Sequence, residues 1–128
     1  GKGGIGKSTI VANLGVIYSG DGLRVLHIGC DPKCDSCRLL TDGKRIPTIL
    51  EKELYPAETV NDDLIYMTRH GVACLESGGP PPGVGCGGRG IARTLEVIEK
   101  RGWLTSGDYD MALFDVLGDV VCGGFAMP

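Results

Sequence analysis

The chain has 128 residues, enough for one domain with a hydrophobic core, and hydrophobic residues make up 42% of it. Its formal net charge is −3 and no basic run stands out, so nucleic acid is not an expected partner. No apolar stretch approaches the roughly 20 residues of a membrane span and no signal-peptide pattern is present. We therefore expect a cytoplasmic protein without a membrane partner.

Hydrophobic periodicity and turn residues predict helices that alternate with strands. In chain order, the predicted elements are helix 7–19, strand 25–29, loop 34–46, short helix 47–54, strand 72–76, loop 77–90, helix 91–101, strand 109–116 and loop 117–124. Apolar residues at helical spacing predict the inward faces of the two long helices: Ile10, Leu14 and Ile17 in the first, and Ile91, Leu95 and Ile98 in the last.

This alternation predicts an α/β fold with a mostly parallel sheet flanked by helices. Glycine is unusually abundant, at 22 residues, and its clusters follow strands, where ligands of parallel sheets bind. No repeat or domain boundary is evident, so residues 1–128 are expected to form a single domain. The chain begins without Met and inside a motif, so we expect a fragment truncated at both ends that lacks the first strand and the C-terminal part.

The first eight residues, GKGGIGKS, match the phosphate-loop pattern G-x-x-x-x-G-K-[ST] without exception. The motif predicts that residues 1–128 form a single P-loop NTPase domain. Glycines let backbone N–H groups surround phosphate oxygens, and the following helix adds its positive N-terminal dipole. Lys7 is predicted to reach the β- and γ-phosphates, and the Ser8 hydroxyl to bind Mg²⁺. The predicted nucleotide-binding residues are Gly1, Lys2, Gly3, Gly4, Ile5, Gly6, Lys7, Ser8 and Thr9.

Lys2 is a second lysine in this loop, which the ordinary pattern does not require. It is either a solvated charge or a residue that reaches phosphates, even across a dimer interface.

Carboxylates follow two of the predicted strands. Asp31 ends one apolar strand and Asp115 another, where a carboxylate can orient water or hold Mg²⁺ beside the phosphates. The alternative for each is a helix or turn cap. Asp119 lies four residues beyond Asp115, in a loop that could report the nucleotide state.

Six cysteines are present, and a cytosolic nucleotide motif argues against three disulfides. Cys86 and Cys122 have glycine neighbours on loops after strands, an environment that suits thiolate ligands of an iron–sulfur cluster. Two such ligands per chain suggest a [4Fe–4S] cluster shared across a two-fold axis, although a buried free thiol is the commoner fate of one cysteine.

The pair Cys34-x-x-Cys37 resembles half a zinc site or a redox pair, but it lacks a second pair of ligands. We interpret both thiols as structural. Cys30 and Cys74 lie in or beside apolar strands and are expected in the core, as is His27.

Several segments together resemble the nitrogenase iron-protein family. They are GKGGIGKST at 1–9, GCDPK at 29–33 with Asp35-Ser36, ESGGP at 76–80, GVGCGGRG at 83–90 and DVLGDVVCGGFAMP at 115–128. The resemblance implies a homodimer with one MgATP per subunit and one [4Fe–4S] cluster at the interface. It implies that Cys86 and Cys122 ligate the cluster and that Lys2 acts across subunits.

The resemblance also implies two nucleotide-sensing switches and a regulatory position. The first switch contains Asp31, Lys33 and Asp35, and the second contains Asp115, Gly118 and Asp119. Arg89 matches an arginine that some members ADP-ribosylate. Lys2, Lys7, Asp31, Asp115 and Asp119 are the residues expected to take part in catalysis.

The implied activity is ATP-dependent delivery of low-potential electrons to the molybdenum–iron component of nitrogenase, with ferredoxin or flavodoxin as the electron donor. Ile10-Val11, Cys34, Cys37 and Gly87 depart from the typical nitrogenase pattern, and GCGGRG also occurs in chlorophyllide-type reductases. A nitrogenase-like reductase of tetrapyrrole biosynthesis is therefore one alternative. A ParA/MinD-type or cluster-carrier ATPase is another.

Overall fold

The computed structural model describes residues 6–54, 64–79 and 88–116. They form, in chain order, α1 (Lys7–Gly20), β1 (Val25–Gly29), α2 (Ile49–Leu54), β2 (Tyr66–Met67), β3 (Val72–Glu76), α3 (Gly88–Arg101) and β4 (Met111–Asp115). Within these ranges, no helix combines the length and the apolar character needed to cross a bilayer.

The four strands form one sheet in the order β2-β3-β1-β4. The central strand β1 pairs in parallel with β3 and β4, whereas β2 is a short antiparallel addition to β3. Both β1 and β3 are buried along their whole length, which is typical of parallel strands covered on both faces. The predicted α/β class with a mostly parallel sheet is confirmed, and β2 is an element that the sequence did not predict.

Helices and a loop cover the two faces of the sheet. One face carries Leu26, Ile28, Ala73 and Leu75 against α2 and α3 residues that include Ile49, Ile91 and Ile98. The opposite face carries Val25, Val72 and Cys74 against Ala12 of α1 and against Cys37, Leu40 and Ile46 of the loop that follows β1. Because alternate residues of a strand share a face, His27 and Gly29 lie on the α1 side.

The predicted inward face of α1 is wrong. Ile10, Leu14 and Ile17 are 60%, 36% and 58% exposed, and the buried residues are Ala12 and Gly15. A Cβ placed on Gly15 would lie 3.6 Å from the Val72 side chain, so small residues allow the helix to pack closely on the sheet. The larger apolar side chains point to the opposite side of the helix.

The inward face predicted for α3 is correct at Ile91 and Ile98 but wrong at Leu95, which is 44% exposed. Thr94 is fully buried between them. Successive helical residues are separated by about 100°, so a face centred on Thr94 leaves Leu95 at its margin.

Several element boundaries differ from the predictions. The helix α2 begins at Ile49 rather than at residue 47, because Thr48 caps it: its Oγ1 accepts the N–H of Glu51 and its own N–H donates to Glu51 Oε2, both at 3.1 Å. The helix α3 begins at Gly88, three residues early, and β4 is confined to Met111–Asp115.

Candidate functional site

The N-terminus of α1 lies at the carboxyl edge of the sheet. At the other end of the helix, Ser19 Oγ donates to the His70 carbonyl oxygen at 2.9 Å, just before β3 begins. The twelve residue-to-residue steps from Lys7 to Ser19 rise about 18 Å, whereas a five-residue strand spans about 13–17 Å. Lys7 and Ser8 are therefore brought to the edge at which the parallel strands end.

The first turn of α1 is suited to an anion. It follows Gly6, whose φ of +86° lies in the left-handed region, and no side chain among the described residues caps it. No acidic residue lies in that turn, and Lys7 and Ser8 are half-buried while Thr9 is exposed. Open N–H groups and the helix dipole favour phosphate here. The predicted residues Gly1 to Ile5, including Lys2, lie outside the described residues.

Two carboxyl groups flank Gly29 at this edge, on the same face as α1. Gly29 is in register with Glu76 of β3 and with Asp115 of β4, and the two acidic residues are 0% and 3% exposed. Asp115 was predicted as a site residue and Glu76 was not. The available signal was the same for both, an acidic residue that ends an apolar strand.

A buried chain of hydrogen bonds reaches Asp115. Ser36 Oγ donates to Asp115 Oδ2 at 2.5 Å, and His27 Nε2 lies 2.9 Å from the same hydroxyl oxygen. Because the serine proton is directed to the carboxylate, His27 must donate from Nε2, which leaves Nδ1 as an acceptor without a partner in the described part of the chain. Burial lowers the pKa of His27 to about 4, partly offset by the charge of Asp115, so the ring is neutral near pH 7.

Glu76 lies beside these hydrogen bonds and is held there by Cys37, the residue after Ser36. The Cys37 N–H donates to Glu76 Oε1 at 2.7 Å, while Oε2 has no partner among the described residues. Burial raises the pKa of Glu76, and the bonds from Cys37 oppose that rise. A Cβ on Gly29 would lie 2.3 Å from Glu76 Oε2 and 2.7 Å from Ser36 Cβ, so only glycine leaves room for both side chains.

The proposed switch segments begin next to each other. The Cys30 N–H donates to the Asp115 carbonyl oxygen at 2.9 Å, which places Asp31 beside the end of β4. Asp31 is half-buried, and its Oδ1 accepts the Lys33 N–H at 2.9 Å, which is the turn-capping alternative. Lys33 and Asp35 are exposed, and the Asp35 carbonyl oxygen accepts the Arg38 N–H at 3.2 Å. Gly118 and Asp119 lie outside the described residues.

The four described cysteines are buried free thiols. Burial raises the pKa of Cys30 to about 12 and also raises the pKa of Cys34, while a hydrogen bond with Cys74 is the largest cause of the raised pKa of Cys37. Raised values disfavour the thiolate that metals need. Within the described ranges no group of three or more His, Cys, Asp or Glu residues could hold a metal ion. The described residues thus support a structural interpretation of Cys34 and Cys37.

The other predicted site residues are not described in side-chain detail. Cys86 and Cys122 lie outside the described residues, so their role as cluster ligands stays a prediction. Arg89 lies in the first turn of α3, and its proposed regulatory modification also stays a prediction.

A protein-family model described as "4Fe-4S iron sulfur cluster binding proteins, NifH/frxC family" matches residues 1–128. Among curated relatives, the chain is 52% identical to the nitrogenase iron protein of Methanospirillum hungatei JF-1 over 130 residues. It is 48% identical to the light-independent protochlorophyllide reductase iron-sulfur ATP-binding protein of Roseobacter denitrificans over 132 residues. Each match covers 100% of this chain but only 45% and 43% of the relatives, so the chain spans less than half of their length.

Solved structures share the fold. The kinase domain of the Escherichia coli tyrosine kinase ETK matches with a TM-score of 0.69 at 19% identity. This match covers 98% of the present chain and 47% of the kinase-domain chain. The septum site-determining protein MinD from Pyrococcus horikoshii OT3, complexed with Mg-ADP, matches with a TM-score of 0.58 at 27% identity. This match covers 90% of the present chain and 45% of the MinD chain. The family match supports both predicted cofactors, the [4Fe–4S] cluster and MgATP, whereas one cluster per dimer stays a prediction.

Proposed function

We propose that this chain, which belongs to the NifH/frxC family of 4Fe–4S iron–sulfur cluster binding proteins, binds MgATP at the carboxyl edge of its sheet and couples ATP hydrolysis to electron transfer. The observation that carries the proposal is that a glycine-preceded helix N-terminus, without a side-chain cap among the described residues, and the Asp115 carboxylate are placed at the same edge and on the same face of the sheet. Positive and negative groups placed in this way suit a phosphate and its magnesium ion.

The residues at this edge have separate tasks in the proposed reaction. Lys7 binds the β- and γ-phosphates and the first-turn N–H groups of α1 surround them. The Ser8 hydroxyl is placed to bind Mg²⁺. Asp115, held by Ser36, orients a water molecule or holds the magnesium through its hydration shell. Catalysis of this kind depends on positioning and on charge stabilisation rather than on a covalent intermediate.

The redox half of the proposal concerns residues beyond the described ranges. Cys86 and Cys122 from each of two subunits would supply the four thiolates of one [4Fe–4S] cluster, which provides the low-potential electron when bound. We propose a cytoplasmic homodimer in which ferredoxin or flavodoxin supplies the electrons. Lys2 acts across the dimer interface in this arrangement.

For the electron acceptor we propose the molybdenum–iron component of nitrogenase. It is supported by relatives named nitrogenase iron protein at 52% identity. The protochlorophyllide reductase relatives, at 48%, support a second candidate acceptor, a tetrapyrrole-reducing component. The two differ in acceptor and share the ATP site. A positioning ATPase, suggested by the MinD fold, would contain no iron.

Substitution of Lys7 tests the proposal. In the full-length protein, Lys7→Ala should lower MgATP-dependent electron transfer by at least about a hundredfold, because the phosphates lose their main side-chain cation. The measurements are ATP hydrolysis and electron transfer to each candidate acceptor component. Lys44→Ala, at an exposed lysine of the loop after β1, is the matched control and should behave as wild type.

ATP hydrolysis, the choice of acceptor and the iron content each test a different part of the proposal. Wild-type hydrolysis by the Lys7→Ala protein would refute the nucleotide site. Transfer to the tetrapyrrole-reducing component alone would replace the proposed acceptor and leave the ATP-driven mechanism in place. Absence of iron from the anaerobically purified protein would refute the electron-transfer function.

A further inference from the structure

Ser36 connects two parts of the chain that are far apart in sequence. It lies in the loop after β1, directly after Asp35, and its hydroxyl bonds to Asp115, 79 residues further along the chain. Ser36 is 0% exposed, so this bond is shielded from water. Hydrogen bonds from a hydroxyl to a carboxylate are stronger than neutral ones, and removing the donor leaves a buried carboxylate oxygen unsatisfied.

The environment of Ser36 determines the direction of that bond. A serine hydroxyl has one proton and a carboxylate can only accept, so the Ser36 proton is directed to Asp115 Oδ2. His27 Nε2 lies 2.9 Å from the same hydroxyl oxygen and therefore contacts it as a donor. Among the described residues, Ser36 is therefore the side-chain donor to the Asp115 carboxylate.

The loop is also joined to the neighbouring strand. Cys37, the next residue, donates its N–H to Glu76, so consecutive loop residues are tied to the ends of β4 and β3 across Gly29. A displacement of the loop at Ser36 must stretch one or both bonds. The loop after β1 and the carboxyl end of β4 are therefore mechanically coupled at this point.

We propose that Ser36 is a positioning residue that holds the Asp115 carboxylate toward the nucleotide site and transmits movement of the loop after β1 to the end of β4. This inference rests on the proposed function, because Asp115 must act on MgATP for its position to affect catalysis. His27 supports Ser36 by supplying the donor that directs its proton. The rival interpretation is that Ser36 is only a buried polar group that helps the loop to fold.

Ser36→Ala and a matched control distinguish the two interpretations in the full-length protein. The control is Thr41→Val, which removes another buried hydroxyl of the same loop, one whose bonds among the described residues are to the loop carbonyl oxygens of Arg38 and Lys44. Ser36→Ala should lower MgATP hydrolysis by about 10–100-fold, the usual effect of removing a group that orients a ligand. Thr41→Val should stay within about threefold of wild type.

A double-mutant cycle then asks whether Ser36 acts through Asp115. If it does, adding Ser36→Ala to Asp115→Asn should change the magnesium concentration needed for half-maximal nucleotide binding by less than about twofold. Multiplicative effects in the double variant, or equal losses in Ser36→Ala and Thr41→Val, would overturn the inference. Thermal unfolding of each variant shows whether the protein is folded.

A nucleotide-free measurement separates this inference from the proposed function. Amide hydrogen exchange of peptides containing Val116 should accelerate about tenfold or more in Ser36→Ala, and should stay at the wild-type rate in Thr41→Val. Unchanged exchange in Ser36→Ala would overturn the inference even if the protein hydrolyses ATP. Faster exchange in Ser36→Ala, together with a wild-type protein that binds no MgATP, would instead refute the proposed function and keep the mechanical coupling.

Discussion

Gly29→Ala is the sharpest test of the carboxyl edge of the sheet. A methyl group on Gly29 would lie 2.3 Å from Glu76 Oε2, 2.6 Å from Glu76 Cδ and 2.7 Å from Ser36 Cβ. Ordinary contact needs about 3.4 Å or more, so the Glu76 carboxyl must move by about 1 Å. That shift would break the 2.7 Å bond from the Cys37 N–H, which joins the loop after β1 to the sheet.

The expected destabilisation combines three effects. Overpacking in a buried site costs about 1–3 kcal/mol, and loss of a hydrogen bond to a buried carboxyl costs about 1.5–3 kcal/mol. Replacing glycine by alanine in a strand raises the free energy of unfolding by about 0.5–1 kcal/mol when no clash occurs. We therefore expect Gly29→Ala to lower the free energy of unfolding by about 2–5 kcal/mol and the thermal midpoint by about 5–15 °C.

The assay is thermal and urea unfolding of the full-length protein, monitored by circular dichroism. Gly20→Ala is the control, because a Cβ on Gly20 meets nothing within 4 Å. In a Glu76→Ala background, Gly29→Ala should cost less, since the clash with the carboxyl is absent and only the 2.7 Å contact with Ser36 Cβ remains. A Gly29→Ala protein that is as stable as wild type, or more stable, would show that the edge is not packed as described.

Further predictions concern the cluster, pH and the second lysine. Cys86→Ser or Cys122→Ser should abolish the electron paramagnetic resonance signal of the cluster and remove the iron. Replacing Cys34 or Cys37 should leave the cluster in place. The reverse pattern would refute the ligand assignment. Because burial lowers the pKa of His27 to about 4, the unfolded chain binds more protons between about pH 6.5 and 4, so stability should fall as pH falls through that window. His27→Gln should flatten this dependence in urea unfolding at stepped pH, and an unaltered slope would contradict the assignment. Lys2→Gln should impair ATP-driven turnover while the iron content stays normal. Unchanged turnover would show that Lys2 is only a solvated charge.

Much of the fold was predictable because it depends on local patterns. The bounds of β1 and β3 were predicted to the residue, since continuous apolar runs limited by turn residues mark buried parallel strands. The start of α1 at Lys7 follows from the phosphate-loop pattern, whose last glycine adopts the left-handed conformation that ends the loop. Asp115 was identified for the same reason, as an acidic residue at the end of such a strand.

Side-chain orientation on the helices was less predictable from spacing. Periodicity shows which residues share a face of a helix but not which face meets the sheet. In α1 the close approach at Gly15 decided the question against Ile10, Leu14 and Ile17. Backbone proximity at small residues outweighed the size of the apolar side chains.

The cluster of buried polar side chains at the site depends on the tertiary structure alone. His27, Ser36, Glu76 and Asp115 come from different parts of the chain, and only the parallel register around Gly29 brings them together. Sequence by itself determined the phosphate loop, the strands and the class of fold, because each depends on neighbouring residues. The alignment of strand ends and the loop folded across them determined which polar side chains meet, because hydrogen bonds depend on distances between residues remote in the chain.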